Sequence, residues 1–528
     1  MPRKSTSAAP AVSSPAAPSP AATVLPSVSV AAASPSPAAA PVHAGALSGL
    51  LDDVLALRGR VLEEAGGLIG RFAGPATADD PGVVNLAHYL AVRHHDLRDL
   101  QRRLMRHGLS SLGRMEGRVL PTLDAVAFAL AALAGRPAPV EEPTEAAFFA
   151  GETALAVHTE ALLGAPRPHR RGRIMVTLPG EAADDGALAD RLVAAGMDVA
   201  RINCAHDDPD AWRRMAGHVR AAAARSGRAV PILMDIAGPK IRTGAVAVHD
   251  KGRLVPGSNL VLIAEGTPEA GKHEPFVAAV SLPEIVRRLS VGDRVRYDDG
   301  KVEAVVEAVS EDRARLHVLR AKTGGAKLKP EKGLNLPDTA LGLSPLTDKD
   351  AADLEAVIAI ADMIGYSCVS HAADIDLLED MLAARNASAK PLGLIAKIER
   401  PEAVANLPAL IARAAGRRPF GVMIARGDLA AEIGFERLAE MQEEILWICE
   451  AARVPAIWAT QVLEDLVKDG VPSRGEMTDA AMAARAECVM LNKGPEVVAA
   501  VELLDRLIGR MGDHFTKKTP TLRALKSW

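Results

Sequence analysis

Eight short β-rich runs leave this chain few folds to choose from: IMVTL (174–178), DVARIN (198–203), VPILMDI (230–236), MIGYSCVS (363–370), GLIAKIE (393–399), FGVMIA (420–425), VPAIWAT (454–460) and ECVMLN (487–492). Most are separated by one helix-length amphipathic stretch, such as PEAVANLPALIARAA or ERLAEMQEEILWICEAA. A strand, a helix and a further strand in that order make a parallel βαβ unit, because parallel neighbours need a crossover long enough for a helix. Eight such units fit an α/β chain closed as a (β/α)8 TIM barrel, whose active site is assembled at the C-terminal ends of the strands.

The gap between the third and fourth runs is too long for one helix. Residues 245–336 hold alternating segments such as LVLIA, RVRYDDG, KVEAVVEAV and ARLHVLRA, broken by Gly, Asp and Pro. They predict an inserted antiparallel β domain, a lid over a barrel made of 173–244 and 337–515. Upstream, residues 46–165 predict a small helical domain, with Gly108 ending its second helix and Ser110 starting the third. His94 and His95 in that domain read as a solvated helix face rather than a metal site. A basic linker, PRPHRRGR, follows it. Residues 1–45 are an Ala/Pro/Ser tail whose composition predicts disorder, and 516–528 form a C-terminal tail.

Composition excludes several classes. The 62 basic and 66 acidic residues nearly cancel, so no single-sign field recruits nucleic acid or a membrane surface. No apolar stretch approaches the ~20 residues of a membrane span, and no signal core follows the N-terminus. Cys204, Cys368, Cys449 and Cys488 are far apart and form no CxxC pair, which reads as reduced core residues of a cytoplasmic protein.

Polar residues gather where the strands end. The second run ends in Arg201 and Asn203, with His206 just beyond; the third in Asp235, followed by GPKIRTG with Lys240 and Arg242. The fifth ends in Lys397 and Glu399, which share a face because strand side chains alternate. The sixth runs into ARGDL with Gly427 and Asp428, and the seventh ends in Thr460. Any one of these has an ordinary reading as a cap or an ion pair. Their common location does not. Glu399 and Asp428 are hard-oxygen ligands suited to Mg²⁺, Lys397 and nearby arginines suit a transferring phosphoryl group, and the turn opening at Ala425 offers helix N–H groups to a carboxylate.

Over roughly residues 173–510 the chain resembles the pyruvate kinase family, in VARINCAH, MDIAGPKIRTG, YDDG, KGLNLP, LIAKIE, VMIARGDLAAEI and ATQVLE, taken in the family's order. The resemblance implies transfer of phosphate from phosphoenolpyruvate to ADP, with Mg²⁺ (or Mn²⁺) as cofactor and a homo-oligomeric assembly. It implies Lys397, Thr460 and Arg201 as catalytic residues, and Glu399 and Asp428 as metal ligands. Ala425, Gly427, Asp428, Asn203, Asp235 and Lys240 would meet the acid substrate, and His206, Arg242, Asp298, Asp299 and Lys332 the nucleotide.

The chain also departs from that pattern. Ala205 stands where the family has a serine of its potassium site, and Lys240 stands where many members have an acid, which together imply activity without potassium. Asn492-Lys493-Gly494-Pro495 replaces the family's Ser-Gly-Glu-Thr. The chain stops at Trp528, so the regulatory C-terminal domain and its sugar-phosphate activation are not expected. Two other readings stay open here: a weak paralogue serving as a binding or regulatory protein, and a Mg²⁺-dependent phosphoenolpyruvate or pyruvate lyase.

Overall fold

The computed structural model describes residues 40–339, 341–385 and 392–520. Eight parallel strands close a barrel: β1 (Arg173–Thr177), β2 (Val199–Asn203), β3 (Ile232–Ile236), β4 (Met363–Tyr366), β5 (Gly393–Ile398), β6 (Phe420–Ala425), β7 (Ala456–Ala459) and β8 (Cys488–Leu491). Each pairs with its sequence neighbours, and β1 closes on β8 with Arg173 opposite Cys488. The eight runs and the α/β barrel expected from them are therefore present. The fourth strand is shorter than its run, because Cys368 takes φ 60° and turns the chain.

Strand alternation sorts each run into two rows. Leu394, Ala396 and Ile398 of β5 face the surrounding helices, while Ile395 joins Met175, Leu233, Met363, Met423 and Ile457 inside the barrel. Lys397 continues the inward row toward the C-terminal mouth, with Glu399 two residues further on, and both are buried.

The floor of the barrel is sealed from upstream. Among the described residues five helices precede β1: α1 (Ala40–Phe72), α2 (Pro81–Arg93), α3 (Arg98–Arg106), α4 (Val119–Ala134) and α5 (Glu145–Leu163). Leu162 and Leu163, at the end of α5, belong to the barrel's interior cluster. A Cβ added at Gly393 or Gly421 would lie 2.6 or 2.7 Å from Leu162, so these two strand glycines make the space for the plug. A Cβ at Gly151 would meet the Gly117 carbonyl, which lets α5 pack against the loop before α4.

Several local expectations change. The predicted second helix breaks after Arg93, so Gly108 follows α3. The third helix starts at Val119 instead of Ser110, where Leu112 at φ 57° interrupts the backbone and the Asn85 side chain accepts from the Val119 N–H at 3.1 Å. The first helix includes residues 40–45 of the span read as a tail; the rest of that span, like 521–528, lies outside the described residues. The basic linker is pinned: Arg170 is buried, with Nη1 2.7 Å from Asp198 and Nε 2.7 Å from Asp505. His94 Nδ1 and His95 Nε2 lie 3.1 and 2.9 Å from Glu64.

The insertion folds as a seven-stranded sheet spanning Thr243–Asn335. All its pairings are antiparallel except that of Asn259–Ile263 with Phe276–Val280. The connection between those two is too long for a tight hairpin, which lets the chain cross and re-enter in the same direction.

Candidate active site

At the C-terminal mouth, charges are buried in a connected set. Lys397 Nζ lies 3.2 Å from Asp235 Oδ1 and 2.9 Å from Glu399 Oε1, and donates to Ser367 Oγ at 2.7 Å. Asp235 in turn accepts from Arg201 Nε at 2.9 Å and from Arg201 Nη2, while Arg201 Nη1 donates to Thr177 Oγ1 at 2.9 Å. Burial alone would raise the Asp235 pKa, but the Lys397 and Arg201 cations overcome it and hold the carboxyl at about 2. Burial would likewise lower the Lys397 pKa, yet Asp235 and Glu399 hold it above the usual lysine value. Both groups stay charged.

Glu399 Oε2 accepts from the Cys368 N–H at 2.9 Å, which fixes the carboxylate at the end of its strand. Lys240 Nζ donates to Asp428 Oδ2 at 2.9 Å and comes within 3.9 Å of Glu399 Oε1. One cation-sized position therefore faces both carboxylates, which tests their fit to a divalent metal. Among the described residues, no three His, Cys, Asp or Glu side chains converge on one metal. Two carboxylates with room for water suit Mg²⁺ and exclude a closed zinc-type cage.

The sixth and seventh strands build one turn together. Helix Arg426–Ile433 begins directly after β6, and its Gly427 N–H donates to Thr460 Oγ1 at 2.7 Å. The Gly427 donor expected for a substrate carboxylate thus already has a partner. Thr460, Gln461 and Leu463 adopt φ 64°, 53° and 50°, a conformation costly for a β-branched residue. Arg426 holds that turn: it donates to the carbonyls of Ala459 at 3.0 Å and Thr460 at 2.6 Å, and binds Asp479 at 2.5 Å.

The residues assigned to a nucleotide divide. Asp298 pairs with Lys301 at 2.9 Å and Lys332 at 3.1 Å on the lid, and Arg242 Nη1 donates to the Glu331 carbonyl at 3.1 Å. Asp299 joins Lys240, Arg242, Glu399, Asp428 and Glu432 around a cavity of about 480 Å³ between lid and barrel. His206 and Thr460 lie outside its wall. Burial, then the charges of Lys493 and Arg242, pull the His206 pKa below its ordinary value. Asn203 Oδ1 accepts from the Ala205 N–H at 3.1 Å.

Four contributors escaped the sequence reading. Ser367 receives the Lys397 proton donor and passes its own to the Ile236 carbonyl at 2.7 Å. Its place two residues after Gly365 in the fourth run was the available signal. Gly365 makes room for Asp235, Asp350 anchors the Ala237 and Gly238 N–H groups at 3.0 and 3.3 Å, and Arg426 clamps the Thr460 turn. The last two carry no signal without the fold.

No helix among the described residues is long and apolar enough to cross a membrane. Residues 169–496 match the family model described as "Pyruvate kinase, barrel domain". A pyruvate kinase of Mycobacterium tuberculosis (strain CDC 1551 / Oshkosh) is 34% identical over 358 residues, covering 66% of this chain and 72% of the relative. One of Geobacillus stearothermophilus is 34% identical over 320 residues, covering 60% and 51%. Among solved structures, a pyruvate kinase from Cryptosporidium parvum superposes with a TM-score of 0.57 at 28% identity, covering 65% of this chain and 69% of that one. With more than half of its length matched to the barrel model and the ordered charges of that barrel's mouth in place, the chain belongs to the pyruvate kinase family.

Proposed function

We propose that the protein is a Mg²⁺-dependent phosphotransferase that moves the phosphoryl group of phosphoenolpyruvate to ADP, giving pyruvate and ATP, without a potassium requirement. The observation that carries this is the buried Lys397 ammonium, held charged between Asp235 and Glu399 and bonded to Ser367. A preorganised cation in a water-poor site stabilises charge spread over the equatorial oxygens of a transferring phosphoryl group without reorganising. Arg201, kept in place by Asp235 and Thr177, supplies the second positive charge.

Glu399 and Asp428 would hold Mg²⁺, which when bound neutralises and orients phosphate oxygens. The N–H groups opening helix Arg426–Ile433, after Ala425, bind the substrate carboxylate, with Thr460 Oγ1 competing for that of Gly427. Thr460 places a hydroxyl beside the enolate that must gain a proton. Lys493, whose charge acts on His206 as that of Arg242 does, adds positive charge on the nucleotide side. Asp298, Asp299 and Lys332 close the lid over the nucleotide. Asn203 and Asp235 border the position of a monovalent cation, whose charge the Lys240 ammonium replaces.

Pyruvate formation from phosphoenolpyruvate and ADP with Mg²⁺, for the wild type beside Lys397→Ala, tests the reading. Turnover by the wild type and a loss of several orders of magnitude in the variant support it; a silent wild type that still binds Mg²⁺ and phosphoenolpyruvate overturns it.

A further inference from the structure

Lys240 does more than stand near the two carboxylates. Its Nζ is 2.9 Å from Asp428 Oδ2 and 3.9 Å from Glu399 Oε1, facing the two carboxylates assigned above to a divalent ion. A magnesium ion needs oxygens at about 2.0–2.1 Å in near-octahedral order, so ammonium and metal exclude one another there. The backbone that carries Lys240 is fixed, because the Ala237 and Gly238 N–H groups donate to the fully buried Asp350. The four-carbon stem of a lysine is flexible, so the ammonium can move while its Cα does not.

We propose that Lys240 is an internal counter-cation that a divalent metal displaces from Glu399 and Asp428, and that the displaced ammonium turns to the anionic acid substrate. The inference rests on the metal assignment made above. A carboxylate pair with its own ammonium resists a second cation until that ammonium finds a new anion. A phosphorylated carboxylic acid supplies one. Metal and acid substrate consequently bind with positive coupling, each raising the other's affinity by the same factor. On the substrate side the same ammonium provides the charge that a monovalent ion would otherwise bring.

Mn²⁺ binding, followed by the electron paramagnetic resonance of free Mn²⁺, tests this without turnover. Lys240→Met should bind Mn²⁺ alone about tenfold more tightly than the wild type, and phosphoenolpyruvate should raise its Mn²⁺ affinity by a smaller factor. Equal or weaker Mn²⁺ binding by the variant overturns the inference. Glu399→Gln and Asp428→Asn separate it from the metal assignment: if neither weakens Mn²⁺ binding, the assignment itself fails. If both weaken it and Lys240→Met does not tighten it, only the displacement fails. Should the variant not fold, amine labelling of the wild type read by mass spectrometry answers the same question. Faster labelling of Lys240 on adding Mn²⁺ supports displacement, and unchanged or slower labelling overturns it.

Discussion

Asp235 occupies the space that Gly365 leaves on the neighbouring strand: a Cβ at Gly365 would lie 2.9 Å from Asp235 Oδ1 and 3.2 Å from the Asp235 Cα. Since Asp235 is the shared partner of Arg201 and Lys397, this one missing methyl group positions two cations. Gly365→Ala should cost about 1–3 kcal/mol of stability by overpacking and lower pyruvate formation by at least ~100-fold. Urea unfolding together with steady-state kinetics checks both; a fully active variant would show that Asp235 tolerates displacement.

Leu162 and Gly421 form a second such pair, at the other end of the barrel. Leu162→Ala should destabilise by about 2–5 kcal/mol, because the removed atoms leave a cavity in the interior. Gly421→Ala should destabilise by overpacking, since its Cβ would sit 2.7 Å from the Leu162 side chain. The double variant should be more stable than the sum of the two losses predicts. Strict additivity in a double-mutant cycle would mean that the plug and the glycine are energetically independent.

Stability should fall as pH rises from about 4.5 to 7 through one group. Burial, opposed by Lys517, pushes Glu450 up to about 7, with Glu116 and Glu487 repelling and Lys518 attracting it. A folded state that holds a proton on Glu450 after the unfolded chain has released it binds more protons, so the unfolding free energy declines with pH across that window and levels off above it. At about 1.4 kcal/mol per unit, the decline is at most ~3.5 kcal/mol. Denaturant titrations at pH 5 and pH 8 should show it for the wild type, and Glu450→Gln should flatten it.

Potassium should not matter. Ala205 lacks a hydroxyl, the Asn203 side-chain oxygen is engaged with the Ala205 N–H, and Lys240 brings its own charge. Turnover in sodium and potassium buffers of equal ionic strength should agree, and strong activation by potassium would remove Lys240 from that role.

The barrel and the row Ile395, Lys397, Glu399 were legible because strand periodicity is a local property of the sequence. Gly393 was not, since its meaning depends on Leu162, far away in the chain. PRPHRRGR has the composition of a linker, but the buried Arg170 has two carboxylate partners, the buried Asp198 and the half-buried Asp505. The break after Arg93 was missed because an amphipathic pattern runs through it unbroken. Tertiary partners decided each of these cases, and no window of neighbouring residues contains them.

The plug also sets an order of events for synthesis. Helix α5 leaves the ribosome before any strand of the barrel it closes, and β1 must wait for β8, since Arg173 pairs with Cys488. Until then Leu162 and Leu163 have no interior to enter, and the nascent chain carries an apolar helix end beside an unpaired strand edge. Assembly of this protein is therefore a late, long-range event, slow by its topology and most exposed to aggregation just before the last strand emerges.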